Sequence, residues 1–287
     1  MSKNSARHTQ SKNKLKKHDF ITNLHKLIAK QIVYRTNDQW GDIFVIEKQH
    51  YRELRFESPN EQSKMDIRNP SFLVHKYTRA MIIVLAFIKP KHVTILGLGG
   101  GCILRCLFYL IPVCKFHVVE LRQCVYNIAS EFFGLPSSEN ITITINDAKK
   151  HMKNALDKST NIIFSDIYGS EGMNPFQQDN RFLNKAYRIL TFDGWLVINY
   201  LEILDFDIPF FRHMCNLFLS VFVCKIPGGN TIIFACKSRI NELNQFDSTI
   251  TELEKKIGLG LKSKFKRMNR LMLCEGNTMQ KKKNVTQ

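Results

Sequence analysis

The chain has 287 residues, of which 44% are apolar and 23% charged, enough for a real core and too apolar for a disordered polypeptide. No apolar run approaches the ~20 residues of a membrane helix; the longest, Ala80–Ile88, stops at Lys89-Pro90. The polar, lysine-rich N-terminus lacks the apolar stretch of a secretory signal, so a cytoplasmic location is expected.

The net charge of +17 sits at the two ends. Residues 1–35 hold nine Lys or Arg against Asp19, and residues 255–287 hold ten against Glu275, which leaves residues 36–254 formally neutral. Basic ends of this kind are drawn to polyanions, while a neutral body does not describe a nucleic-acid groove. The eight cysteines form no C-x-x-C and lie mostly in apolar runs. That pattern predicts buried, reduced thiols and no metal site.

In chain order, residues 1–33 read as a basic arm followed by a helix over 20–31. Gly41–Ile46 and Tyr51–Phe56 predict a hairpin within a small β element over 34–70. Residues 71–88, entered through Asn69-Pro70, have the length of a helix. From His92 onward, short apolar strands (His92–Leu96, Lys115–Val119, Ile141–Ile145, Asn161–Ser165, Gly194–Asn199) alternate with helical segments near 102–110, 122–133, 147–156 and 179–190. Such alternation implies βαβ crossovers and a parallel sheet covered on both faces. After a helix near 207–217, Leu219–Ile226 and Thr231–Cys236 flank the turn Pro227-Gly-Gly-Asn230. A parallel sheet closed by an antiparallel hairpin is the ending of the S-adenosylmethionine-dependent methyltransferase fold. The expectation is therefore an α/β, Rossmann-like domain over 71–240, followed by a basic C-terminal helix and tail over 241–287. In the last of these, Leu261–Leu273 reads as a basic amphipathic helix. Phe192 and Trp195 read as core residues.

The first parallel strand runs into Gly97-Leu-Gly99-Gly100-Gly101-Cys102. Glycines at a strand-to-helix turn let the backbone approach a ligand closely. A dinucleotide fingerprint would need a third glycine where Cys102 stands, which disfavours NAD. Glu120 ends the second strand, about twenty residues on, where a carboxylate takes both ribose hydroxyls. Asp147 follows the third strand, where a side-chain oxygen can accept from an adenine amino group, and Asp166 ends the fourth. Ligands of such sheets bind beyond the carboxyl ends of the strands, where all four features fall. His75, two residues before Tyr77 on an expected helix, should point elsewhere.

Residues 34–240 resemble the spermidine synthases and their spermidine synthase-like relatives. The likeness lies in the N-terminal hairpin, Gln62-Ser63, Tyr77, Ile95–Arg105, Val118-Val-Glu120, Asn146-Asp147-Ala148, Ile163-Phe-Ser-Asp166, and the helix Phe182–Leu190 with Asp193-Gly194. The resemblance implies transfer of an aminopropyl group from decarboxylated S-adenosylmethionine to a small amine acceptor, without a metal. It implies that Gly97, Gly99, Gly101, Glu120, Asp147, Ala148 and Gln62 hold the nucleoside co-substrate. Asp166 takes the attacking amine's proton, and Tyr77 and Tyr168 line the acceptor. It also implies a homodimer.

Three family positions are changed: Gly100 and Gly169 stand where the family carries Asp, and Thr78 where it carries His. An ammonium buried without a partner is costly, so ordinary diamine binding needs another carboxylate here. Glu171 and Asp179 are nearby in sequence, although both also read as surface loop acids. Two further readings stay open. Without the carboxylate at Gly100, S-adenosylmethionine itself can be accommodated for methyl transfer. Alternatively, the chain is a nucleotide-binding scaffold whose basic ends contact polyanions.

Overall fold

The computed structural model describes residues 31–58, 61–201, 206–258 and 260–271. The basic arm, residues 20–30 of the expected helix and residues 272–287 lie outside the described residues.

A four-stranded antiparallel sheet comes first, formed by β1 (Ile32–Asp38), β2 (Gly41–Lys48), β3 (Tyr51–Phe56) and β4 (Glu61–Asp66), paired in chain order. The expected hairpin is its centre, and Ile43, Val45, Leu54 and Phe56 bury one face. The outer strands carry little apolar alternation: β1 is mostly exposed and β4 reads Glu-Gln-Ser-Lys-Met-Asp, so sequence pattern alone does not reveal them.

The second sheet has eight strands. β5 (His92–Leu96), β6 (Lys115–Glu120), β7 (Ile141–Ile145), β8 (Thr160–Ser165) and β11 (Leu190–Tyr200) are parallel. β12 (Ser220–Lys225) and β13 (Thr231–Cys236) add antiparallel to β11, and β14 (Met268–Arg270) closes the edge. The spatial order is β14-β12-β13-β11-β8-β5-β6-β7. A two-stranded ribbon, β9 (Tyr168–Gly169) and β10 (Gly172–Met173), stands apart from it.

Helices cover both faces, as strands apolar on both sides require. α1 (Lys76–Met81), α2 (Cys102–Leu110), α7 (Asp247–Ile257) and α8 (Leu261–Phe265) pack on one face. α4 (Ala148–Asn154), α5 (Asn180–Ile189) and α6 (Pro209–Leu217) pack on the other. α3 (Gln123–Phe132) presents Val125 and Ile128, with Phe133 beyond its end, to the buried face of the small sheet. That contact carries β4 to the edge of the glycine turn.

Three expectations are corrected. The 71–88 segment is a six-residue α1 followed by a 3-10 turn over Ile82–Ala86, because Leu73 bridges to Met65 and ties the segment's start to β4. Leu261–Leu273 is no free amphipathic helix. Leu261, Phe265 and Met268 are core residues, and after α8 the chain joins the main sheet as β14. Phe192 is 83% exposed, since it lies where the pairing of β11 with β8 is interrupted between Leu190 and Trp195. Trp195 is buried as expected and stacks on Phe87.

Arg122 fastens the small sheet to the large one. Its Nε and Nη2 donate to Asp38 at 2.9 and 2.7 Å, Nη2 also donates to the Gly41 carbonyl at 2.8 Å, and the guanidinium lies 4.5 Å over the Phe56 ring. Both partners are largely buried. Arg122→Leu leaves the Asp38 carboxylate unpaired and is expected to cost about 3 kcal/mol in urea unfolding. Arg35→Leu, which breaks the half-exposed pair with Asp42, is expected to cost less than about 1 kcal/mol.

Candidate active site

From β5 the chain crosses to β6 and β7 on one side, whereas β8 and β11 lie on the other. The crevice between β5 and β8 is thus the topological switch point, where open α/β sheets take their ligands. Gly97, Gly99 and Gly101 adopt φ of 91°, 52° and 71°, values that L side chains rarely adopt. At Gly97 space is also decisive, because a Cβ there would lie 2.3 Å from the Asp166 carbonyl oxygen. Gly99 faces the opening, and Gly101 is buried behind it as the N-cap of α2. Arg105, itself buried, donates to the carbonyls of Gly100 (2.6 Å), Phe133 (2.7 Å) and Pro70 (2.9 Å) and braces the turn from beneath.

The turn opens into a cleft of about 1770 Å³. Glu120 reaches it from the end of β6. Its Oε2 accepts from Leu98 N at 2.9 Å and its Oε1 from Arg122 N at 2.9 Å. Burial raises its pKa, while these N–H groups and the Arg122 charge pull it back. Each oxygen keeps capacity for a further donor. Asp147 caps α4 through Lys150 N at 2.9 Å and, with Ala148, lines the same wall. The cap and the ligand reading therefore coexist on one side chain.

Asp166 lies opposite. Its Oδ1 accepts from Asn199 Nδ2 at 2.8 Å and its Oδ2 from the Tyr77 hydroxyl at 3.2 Å. Burial pushes its pKa up, and the two donors moderate the rise. Tyr77 is pushed well above the ordinary phenol range by burial and by the Asp166 charge, so it stays protonated and donates. Tyr168 donates to the Asn199 carbonyl at 3.1 Å. Gln62 lines the same cleft from β4.

The sequence-expected residues other than Gly101 thus meet in one cleft. Asn199 and His75 join them unexpected, and Gln177 supports Asn199 from behind. Asn199 had a sequence signal, an amide at the end of an otherwise apolar strand. Gln177 had none; it is fully buried, accepts from Ser165 Oγ at 2.6 Å and donates to the Asn199 carbonyl at 2.7 Å. The expectation that His75 points away is corrected. His75 precedes α1 in extended backbone (φ −70°, ψ 136°), so helical spacing does not apply, and its ring meets that of Tyr77 at 5.4 Å.

The two glycines at changed positions differ. A Cβ at Gly100 would lie 2.8 Å from Ser63 Oγ and 2.9 Å from the Phe133 ring, whereas one at Gly169 meets nothing within 4 Å. The seven described cysteines are free, and burial pushes Cys106 up to about 12. Among the described residues no group of three or more His, Cys, Asp or Glu is placed to hold a metal ion, and no helix is long and apolar enough to cross a membrane. Gly100→Asp is expected to cost about 1–3 kcal/mol in thermal or urea unfolding, by overpacking. Gly169→Asp is expected to stay within about 0.5 kcal/mol of the parent in the same measurement.

No family model matches the chain. It is 28% identical over 212 residues to the polyamine aminopropyltransferase of Neisseria meningitidis, which covers 71% of this chain and 79% of the relative. It is 24% identical over 164 residues to the eEF1A lysine and N-terminal methyltransferase of Danio rerio, covering 52% of this chain and 23% of that one. Among solved structures, a probable spermidine synthase from Corynebacterium glutamicum superposes with a TM-score of 0.67 at 17% identity, covering 76% of this chain and 87% of that one. A spermidine synthase in complex with the transition state analogue AdoDATO gives 0.59 at 16% identity, covering 80% and 89%. Human methyltransferase-like protein 13 in complex with SAH gives 0.50 at 20% identity, covering 71% and 94%. These likenesses place the fold among spermidine synthases and methyltransferases alike. By sequence the chain is similar to polyamine aminopropyltransferases, and by fold to spermidine synthases.

Proposed function

We propose that this protein is a transferase that moves an aminopropyl group from decarboxylated S-adenosylmethionine to a small amine acceptor in the cleft above Gly97. The observation that carries the reading is Asp166, a part-buried carboxylate held by Asn199 and Tyr77 beside the glycine turn. Glu120 would take the ribose hydroxyls and Asp147 the adenine amino group, with Gln62, Ala148, Gly97 and Gly99 enclosing the nucleoside and Gly101 shaping the turn. In the reaction the acceptor nitrogen's lone pair attacks the propyl carbon bonded to sulfur. The C–S bond breaks with its electrons passing to sulfur, methylthioadenosine leaves, and the new ammonium gives a proton to Asp166. A sulfonium is already an activated leaving group, so the protein's work is alignment and proton acceptance. Tyr77 and Tyr168 flank that carboxylate and set the wall against which the acceptor lies. A cytoplasmic setting, a homodimer and contact of the basic ends with polyanions belong to the same reading.

Methyl transfer from S-adenosylmethionine is the second reading, and one observation favours it: the Gly100 site has neither a carboxylate nor room for one. Titration calorimetry with decarboxylated S-adenosylmethionine, S-adenosylmethionine and methylthioadenosine separates the two. The first reading expects the decarboxylated form and methylthioadenosine to bind more tightly; a preference for S-adenosylmethionine overturns it in favour of methyl transfer.

Asp166→Asn is expected to lower turnover by about 10²–10⁴-fold while methylthioadenosine binding is kept. Stability moves in the opposite sense. Folding raises the Asp166 pKa above its ordinary 3.8, so the native state holds this proton more tightly than the unfolded chain does. The resulting stabilisation is full below the unfolded value and is lost as pH rises through the folded one. Urea unfolding as a function of pH should therefore show the parent losing stability relative to Asp166→Asn across that window.

A further inference from the structure

Residues 36–254 are neutral only in sum, because the fold segregates their charges. The helices on one face of the main sheet, α4, α5 and α6, carry four lysines, three arginines and no acid. On the opposite face α7 alone holds Asp247, Glu252 and Glu254. The three arginines, Arg181, Arg188 and Arg212, are paired with Asp179, Asp157 and Asp207. Lys149, Lys150 and Lys153, all exposed on α4, have no ion-pair partner among the described residues. Like charges three and four residues apart repel on a helix, so α4 keeps this row against its own stability.

The same helix leaves part of the sheet beneath it uncovered. Its seven residues rise about 10 Å, against about 17 Å for the five residues of β7. Leu96 and Val119 pack in the core with Met152 of α4. One repeat earlier on the same strand faces stand Thr94 and His117, polar where a covered parallel sheet carries apolar side chains. They open into a groove of about 600 Å³ that is also lined by His92, Lys115, Asn140, His151 and Asn154, with Glu139 as the one acid among its lining residues. The His117 and His151 rings meet edge to face at 4.6 Å, and burial lowers the pKa of both, so near pH 7 they are neutral. Asn146 lines this groove and the cleft alike, which makes the two continuous.

We propose that α4 and this groove bind a single-stranded polynucleotide, its phosphates on Lys149, Lys150 and Lys153 and its bases against His117, His151 and Asn154. The inference is independent of which group is transferred in the cleft. A row of unpaired lysines suits successive phosphates, while imidazole faces and side-chain amides are groups that stack on and hydrogen-bond unpaired bases. An acidic peptide or a lipid surface would engage the lysines and leave the groove without a role.

The test is fluorescence anisotropy of a labelled oligouridylate RNA with the full chain over a range of salt. The triple variant Lys149→Gln, Lys150→Gln, Lys153→Gln keeps good helix formers. It is expected to raise Kd about 10–100-fold and to flatten the log–log salt dependence by about two. The double variant His151→Ala, Asn154→Ala is expected to raise Kd about 5–50-fold with the salt slope unchanged. Asn154→Ala alone, on an exposed residue, keeps the groove testable if the double variant does not fold. Two controls remove the same charge elsewhere: Lys255→Gln, Lys256→Gln, Lys262→Gln on α7 and α8, and Lys281→Gln, Lys282→Gln, Lys283→Gln near the chain's end. Each should change Kd by less than about threefold. A parent that binds no RNA, a loss in either control equal to that of the α4 variant, or an unchanged Kd in the groove variant overturns the proposal. So does tighter, α4-dependent binding to polyglutamate or to phosphatidylserine vesicles, which would give this face to another partner.

Discussion

The site depends on one backbone contact, the approach of the Gly97 turn to the end of β8. With a Cβ at Gly97 falling 2.3 Å from the Asp166 carbonyl, only a bare backbone lets the two strand ends stay side by side. Asp166 N donates to the Leu96 carbonyl at 3.0 Å across the same seam. Because β5 and β8 bracket the switch point, this seam fixes the spacing between the glycine turn and the acid. It also explains why the turn needs positive φ: the chain must leave β5 sharply to clear β8 before α2 begins.

Around that seam, buried cations serve as struts. Arg105 has three carbonyl acceptors, and Arg122 joins a carboxylate, a carbonyl and an aromatic face. A guanidinium spreads five donors in a rigid plane, so one side chain can satisfy several backbone oxygens that loops leave unpaired. Arg105 thereby joins the glycine turn to the end of α3, and Arg122 joins β6 to the small sheet. Both struts border the wall that carries the glycine turn and Glu120, whose oxygens accept from backbone N–H groups. Position on that wall is set by the main chain.

What the sequence made legible follows from this difference. The glycine turn, Glu120, Asp147 and Asp166 sit at strand ends, and strand ends can be read from hydrophobic periodicity. The parallel core and its closing hairpin were legible for the same reason. β1 and β4 were not, because one is exposed and the other polar, and their pairing is imposed by β2 and β3. Gln177 was invisible because its role is tertiary: a loop amide buried against Ser165 and Asn199 has no periodic signature. His75 was misread because the helix starts only at Lys76, five residues into the expected 71–88 segment, which leaves His75 in extended backbone. The C-terminal segment was misread because its five lysines and arginines outnumber the three apolar residues that dock it.

The two walls of the cleft therefore differ in how freely they can change. The wall of Gly97, Glu120 and Asp147 is tied to the backbone contacts of the switch point, and substitution there disturbs the sheet itself. The facing wall is assembled from side chains of β4, α1 and the 168–178 loop, which come together at the cleft. Gly100 belongs to the first kind, locked by Ser63 and Phe133, and Gly169 to the second, with open space around it. A carboxylate lost at Gly100 can be replaced only from another element, because the turn has no volume to return it. β4 is the element in contact, since Ser63 touches the turn while Glu61, two residues away on the same strand, reaches the cleft. The register of β4 against β3 shifts between these two residues, so Gln62 is the extra residue of a bulge that re-aims the strand there. The strand that closes off the Gly100 site thus also brings a carboxylate, Glu61, to the lining of the cleft.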